Sequence, residues 1–196
     1  MSCSCDNNPL ILPVGATGAT GPKGDTGAGA FEHFIGEEFG GGVVFHVYRD
    51  ADGTEHGLVV STIDIAVNKQ YSNITSTEIG VTAQSSWDGA SNTTAISTQV
   101  GVSAGAGKEC ADYSGGGFTD WYLPSYTEIF LFYTNRFNVH KTIATIVGAT
   151  EFDIGETYWT STELTNDSAF YFNPNGPLTA GGLKSLTKSV RAIRKY

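Results

Sequence analysis

Charge is scarce in this sequence. Lys, Arg, Asp and Glu make up 16% of it, against about a quarter in ordinary soluble domains. Basic residues are the rarer sign, 11 against 20 acidic, for a net charge of −9. A chain this acidic repels phosphate backbones, which excludes sequence-independent nucleic-acid binding. No apolar run approaches the ~20 residues needed to cross a bilayer, so no membrane insertion is expected. Cysteine is nearly absent: Cys3, Cys5 and Cys110. An odd number with two crowded at one end makes no disulfide framework, and that pair alone is too small a ligand set for zinc. The N-terminus lacks a basic leader region, and Leu10-Ile11-Leu12 is too short for the apolar stretch of a signal peptide, so folding in a reducing cytoplasm is expected.

Catalytic signatures are missing as well. His33, His46, His56 and His140 are scattered, with no i,i+4 pair and no HExxH pattern. There is no GxSxG elbow, and Gly40-Gly41-Gly42 lacks the Lys-Ser/Thr of a P-loop. Cys110, in a helical stretch, reads as a small buried hydrophobe rather than a nucleophile. Asp112, Asp120 and Glu128 could supply a carboxylate pair, but their spacing in sequence fixes no separation in space. Asp50-Ala51-Asp52-Gly53 begins like a calcium loop, yet Ser61 stands where the bidentate Glu should be. The expectation is a non-enzyme with no cofactor, no catalytic residue and no metal site.

Glycine is abundant: 25 in 196 residues, nearly twice the usual share of about 7%. Five of them, Gly15, Gly18, Gly21, Gly24 and Gly27, fall in strict period three. That period is the collagen signature, because only Gly fits at the axis of three close-packed polyproline-II chains. Lys23 and Asp25 could pair between chains. Five triplets with one Pro make a weak triple helix that needs neighbouring parts to bring three chains together; otherwise the segment is a flexible linker. Extended at ~3.1 Å per residue, it would span roughly 45 Å. The organisation expected is an extended anchor peptide over 1–14, a collagen-like stalk over 15–29, a linker over 30–39 and one folded domain over 40–196. The plug Leu10-Ile11-Leu12 ahead of the stalk suggests a peg that docks into a larger assembly.

Within 40–196 the pattern alternates between strand and helix signals. Val43–Arg49 and His56–Ile63 are rich in β-branched residues and flank turn chemistry at 50–53, which predicts a hairpin. Weak helical signals lie near Thr94–Val100 and Ala104–Tyr113. Ser125-Tyr126-Thr127-Glu128 fits a capping box opening a helix to about Phe137, with a second stretch near Lys141–Val147. Strands follow at Tyr158–Glu163, Ala169–Asn173 and Ser189–Tyr196. The whole reads as an α+β domain with short strands, central helices and long loops. The last 13 residues hold Lys184, Lys188, Arg191, Arg194 and Lys195 without an acid. They form either a basic strand packed beside acidic neighbours or a stripe for an anionic partner.

Gly117-Phe118-Thr119-Asp120-Trp121-Tyr122-Leu123-Pro124-Ser125, then Tyr158–Glu163, Ala169-Phe170-Tyr171-Phe172 and Val190-Arg191-Ala192-Ile193-Arg194, resemble in order the Lcl C-terminal domain. That family has a C-type-lectin-like fold and ends bacterial and phage collagen-like proteins. The resemblance implies a homotrimeric adhesin or virion fibre tip, with host glycans as ligands of some members. Trp121, Leu123, Trp159, Phe170 and Phe172 read as core, with Glu163 pairing to Arg191 or Arg194 across strands. The calcium triplets of sugar-reading lectins are missing; only Asn173-Pro174-Asn175 and Thr165-Asn166-Asp167 approach them, with too little negative charge for calcium.

The expectation is a trimeric bacteriophage fibre or decoration protein, made in the host cytoplasm and joined to the virion through its N-terminal segment. Its knob would bind bacterial surface polysaccharide through loops bearing Trp87, Asp88, Asn166, Asp167, Asn173 and Asn175. The alternatives are a bacterial collagen-like adhesin at the cell surface and a purely structural trimerising knob.

Overall fold

In the computed structural model, residues 29–196 are described. The anchor peptide over 1–14 and the repeat glycines Gly15, Gly18, Gly21, Gly24 and Gly27 lie outside the described residues. Two sheets and three helices make a mixed α+β fold. One sheet has the order β1-β2-β3-β9, from β1 (Glu38–Phe39), β2 (Gly42–Arg49), β3 (Glu55–Ser61) and β9 (Ile193–Lys195). The other has the order β4-β8-β5-β6-β7, from β4 (Ala66–Lys69), β8 (Lys188–Val190), β5 (Tyr158–Glu163), β6 (Ser168–Phe172) and β7 (Thr179–Leu183). All pairings are antiparallel except β5 with β8.

The β1–β2 turn explains the glycine triplet. Gly40 and Gly41 both have positive φ, 58° and 82°, which a two-residue hairpin turn demands and side chains resist. Gly42 follows because a Cβ there would stand 2.1 Å from the Val60 carbonyl oxygen.

Helix α1 (Gly89–Thr98) starts earlier than its sequence signal because Asp88 caps it, accepting from the Ser91 amide. Its Gly, Ser, Asn and Thr are weak helix formers, so the cap and packing carry it. Helix α2 spans Ala106–Asp112 and buries Cys110 completely. The capping box at Ser125 and Glu128 is formed as expected and opens α3 (Tyr126–Ile143). This helix is continuous, without the break expected after Phe137. Val139 and Ile143 prolong the buried stripe of Ile129 and Phe132, so the face against the sheet never runs out.

The final strand expected over 189–196 is two strands in different sheets, β8 and β9, joined at Arg191-Ala192. Arg191 is buried there and fixes the crossing. Its guanidinium donates to Asp64 Oδ1 (2.7 Å) and to the carbonyls of Ser61, Thr150 and Glu151 (3.0 Å each).

The basic C-terminal residues therefore pack against acids or, for Lys188, an aromatic ring instead of forming an anion-binding stripe. Glu163 pairs neither with Arg191 nor with Arg194, but with Lys184 at 2.6 Å. Arg194 forks onto both oxygens of Asp120 at 2.7 and 2.8 Å. Lys188 lies 3.6 Å from the centroid of the Tyr171 ring. Of the aromatic and aliphatic residues expected in the core, Trp121, Leu123, Trp159 and Phe172 are buried. Phe170 is half-buried: it shares the face of β6 with Phe172 but packs against the half-buried Tyr126 ring at the start of α3.

Candidate functional site

A long connection over 70–88 crosses from β4 to α1, and its path is set by side chains beneath it. The Lys184 ammonium donates to Glu163 Oε1 (2.6 Å) and to the carbonyls of Thr77 (3.1 Å) and Asn166 (2.8 Å). Glu163, itself buried, accepts from the amides of Ile79 and Gly80. A polar cluster of this kind, removed from water and satisfied on every side, gives the loop one conformation.

Further along, the chain around Trp87 is tied down more closely still. Asn92 accepts from the Ser85 amide and donates to its carbonyl, and Thr162 Oγ1 donates to the same carbonyl. Ser85 Oγ accepts from the amides of Trp87 and Asp88. The Ser86 carbonyl accepts from Thr127 at the start of α3. Despite this rigid backbone, the Trp87 side chain is 68% exposed. A large indole held in water has a desolvation gain still to make, on a backbone that is already ordered.

Trp87 is the wall between two clefts. One, of about 400 Å³, is floored by His46, Tyr48 and Leu58 of the hairpin, with Leu131 of α3, Lys195 and Asp50 at its rim. His46, Tyr48 and His56 form a row of rings with centroids 5.9 and 5.4 Å apart. Asp50 Oδ2 ends the row, 2.8 Å from His56 Nε2. The other cleft, of about 680 Å³, is lined by Val81, Ala95 and Trp87 together with the hydroxyl-bearing Thr82, Ser91, Thr94 and Thr98. Burial lowers the His46 ring below the ordinary imidazole value.

Asp88 lies at the junction of the clefts. It binds the Ser91 amide and hydroxyl (3.1 and 2.7 Å) and stands 3.6 Å from Lys195 Nζ. Partial burial pushes its carboxyl up, but the Ser91 hydrogen bonds and Lys195 outweigh this and hold it below its ordinary range. Glu128, at the floor, is committed to structure. Its carboxylate accepts from the amides of Ser125 (2.8 Å) and Gly89 (3.1 Å) and from the Tyr122 hydroxyl (2.9 Å). Burial nevertheless raises its pKa. Cys110 is fully buried, and burial drives its thiol pKa well up, away from the reactive thiolate. Among the described residues, no three His, Cys, Asp or Glu converge as a metal-binding group. Nor is any helix among them long and apolar enough to cross a membrane.

The six loop residues selected from the sequence do not form one site. Trp87 and Asp88 are together. Asn166 and Asp167 sit in the β5–β6 turn, where the Asn166 carbonyl receives Lys184 and Asp167 Oδ1 receives the Thr165 hydroxyl. Asn173 and Asn175 form the β6–β7 turn, with the Asn175 amide donating to Asn173 Oδ1. These turns close opposite ends of the five-residue strand β6, roughly 16 Å apart. None of these four residues lines either cleft at Trp87. Conversely, Tyr48, His46, Asp50 and Lys195 line the smaller cleft and are not among the residues selected from the sequence. Tyr48 and His46 carried the signal of aromatic rings in a hairpin next to turn acids. The approach of Lys195 to Asp88 has no local signal.

No family model matches the chain, and no curated protein matches it in sequence. Among solved structures it is similar to a fimbrial protein from Bacteroides ovatus, with a TM-score of 0.55 and 16% identity. The match covers 89% of this chain and 46% of that one, so the chain spans somewhat under half the length of its structural neighbour. At this identity, the likeness is one of fold.

Proposed function

We propose that the chain is a trimeric bacteriophage fibre or decoration protein whose C-terminal, lectin-like knob binds host surface polysaccharide at Trp87. The observation that carries the binding site is the exposed indole on a hydrogen-bonded loop between two clefts. An aromatic face stacks on the C–H face of a sugar ring, while Asp50, Asp88, Lys195 and the threonine hydroxyls offer partners for sugar hydroxyls. The fibre reading rests on the period-three glycines and on the order of motifs shared with the Lcl C-terminal domain. The activity in this reading is binding, and it assigns no chemistry to Glu128, whose carboxylate is taken up by hydrogen bonds, or to the buried Cys110.

A second reading, a bacterial surface adhesin, is favoured by the fold shared with a fimbrial protein. The two differ in where the protein resides, which immunogold labelling of virions and of producing cells distinguishes.

The test of binding uses labelled full-length protein on intact bacterial cells, with competing polysaccharide and with EDTA. Saturable, competed binding is expected. Trp87→Ala should weaken it by about 5- to 30-fold, the loss of ~1–2 kcal/mol of stacking and contact. EDTA should change nothing, because the Lys184 ammonium already supplies the cation that organises the loop. Wild-type protein that binds no host cell would leave only the structural knob.

A further inference from the structure

The charges around Trp87 do not balance. Three carboxylates line the two clefts, Asp50, Asp88 and Glu128, against one ammonium, Lys195. That ammonium is already shared, 3.6 Å from Asp88 and 5.7 Å from the centroid of the Tyr122 ring. Glu128 is closed off by its three donors. Asp50 is different: its side chain is 55% exposed, and the partner it has is the His56 ring, at Oδ2. Burial holds the neighbouring His46 imidazole below its ordinary value, so at neutral pH it brings no positive charge.

Two exposed aromatic rings line the same cleft as Asp50: Trp87 and, 37% exposed, Tyr48. An aromatic face attracts a cation through its quadrupole, indole most strongly, and a carboxylate in the same cleft adds a full countercharge. Other sugars fare worse here. A neutral sugar filling the cleft would strip water from the Asp50 carboxylate and return only hydroxyls. An acidic sugar would bring a further negative charge to a place where the single ammonium is shared with Asp88. A protonated amine answers both problems, pairing with Asp50 while lying against a ring. The net charge of −9 acts in the same direction at longer range, drawing cations in and repelling polyanions.

We infer that the Trp87 cleft recognises an amine-bearing sugar, whose protonated amino group is held by Asp50 against the rings of Tyr48 and Trp87. This rests on the carbohydrate-binding reading proposed above and names the class of sugar within it. N-acetylation removes the charge while keeping the sugar ring, so it is the change to which recognition is most sensitive.

The probes are the β-1,4-linked tetramer of glucosamine and its N-acetylated counterpart, which share a backbone and differ in charge. Each is titrated by calorimetry, at neutral pH, into the full-length chain as wild type, Asp50→Asn and Asp167→Asn. The last is an equal change of charge outside both clefts. In parallel, the same three labelled proteins are bound to bacterial cells before and after acetic anhydride has converted surface amines to amides. The glucosamine tetramer should bind about fivefold or more tighter than the N-acetylated one, and the difference should shrink as salt is raised. Asp50→Asn should bring the ratio close to one and weaken cell binding, Asp167→Asn should change neither, and capped cells should lose most of their binding. An N-acetylated tetramer that binds as tightly as the amine would overturn the amine assignment and leave the carbohydrate site standing. So would cell binding that survives capping or Asp50→Asn, whether or not either tetramer binds. A chain that binds neither tetramer and no cells would overturn the carbohydrate reading and this inference together.

Discussion

Lys184→Met removes one ammonium from a site with no water to replace it. The Lys184 and Glu163 side chains are 1% and 0% exposed. After substitution, Glu163 keeps only its two backbone donors, Ile79 and Gly80, while the Thr77 and Asn166 carbonyls lose the donor that joined them. Breaking a buried pair from one side costs about 3–5 kcal/mol, because the remaining charge is uncompensated. In a domain of this size each kcal/mol lowers Tm by about 2–4 °C, so a fall of roughly 6–20 °C is expected. Calorimetry measures it directly. The second half of the test is Glu163→Gln in the Lys184→Met background. It removes the stranded charge yet keeps an acceptor for the two amides, so it should restore part of the loss. A single-variant loss under about 1 kcal/mol would refute the role given to the pair. So would a double variant less stable than Lys184→Met, since stranded charge would then not be the cause.

Other consequences are smaller and separable. Ser125→Ala removes the oxygen that accepts the Glu128 amide and should cost ~1 kcal/mol in denaturant unfolding, with Ser125→Gly costing less than Ala. Gly42→Ala drives a methyl against the Val60 carbonyl and Val59 Cγ1 at 2.1 and 2.8 Å. Because backbone cannot step aside, a loss of about 3 kcal/mol is expected, read from the urea midpoint. Burial holds His46 and His140 below the usual imidazole range. The unfolded chain therefore takes up protons from about pH 6.5 downward that the folded chain refuses, and stability falls on acidification through that window. His140→Gln should flatten the slope between about pH 7.5 and 5.5, and equal slopes would exclude His140 as its source. Asp64 and Glu128, raised by burial, act in the opposite sense, which is why the comparison is made between wild type and His140→Gln.

What was legible in the sequence is what local chemistry determines. The capping box at Ser125 and Glu128 specifies its own hydrogen bonds, and the β2–β3 hairpin follows from β-branched runs around turn residues. Strands β4 and β7 were not legible. Ala66–Lys69 has a single β-branched residue, and Thr179–Leu183 carries Gly181 and Gly182, so pairing with β8 and β6 is what extends them. The end of α3 was misplaced because Asn138 and His140 are poor helix formers, while the buried Val139 and Ile143 decide the matter by packing.

The charge pairs expose the same limit at longer range. From sequence, Glu163 had two arginines to choose from in a basic tail. The fold instead gives each cation an acid or ring from a different segment: Lys184 to Glu163, Arg191 to Asp64, Arg194 to Asp120, Lys195 to Asp88, and Lys188 over Tyr171. These partners lie up to 127 residues away, so no local pattern could select among them. Trp87 shows how far loop composition reaches. A stretch rich in Ser and Asn points to an exposed loop there, and Trp87 is 68% exposed while Asp88 is half-buried. The same composition in the β5–β6 and β6–β7 turns serves only to close hairpins. A loop residue becomes a candidate for binding when the backbone beneath it is fixed and its side chain is left without a partner. Trp87 meets both conditions, and Asn166, whose carbonyl already holds the Lys184 ammonium, meets only the first.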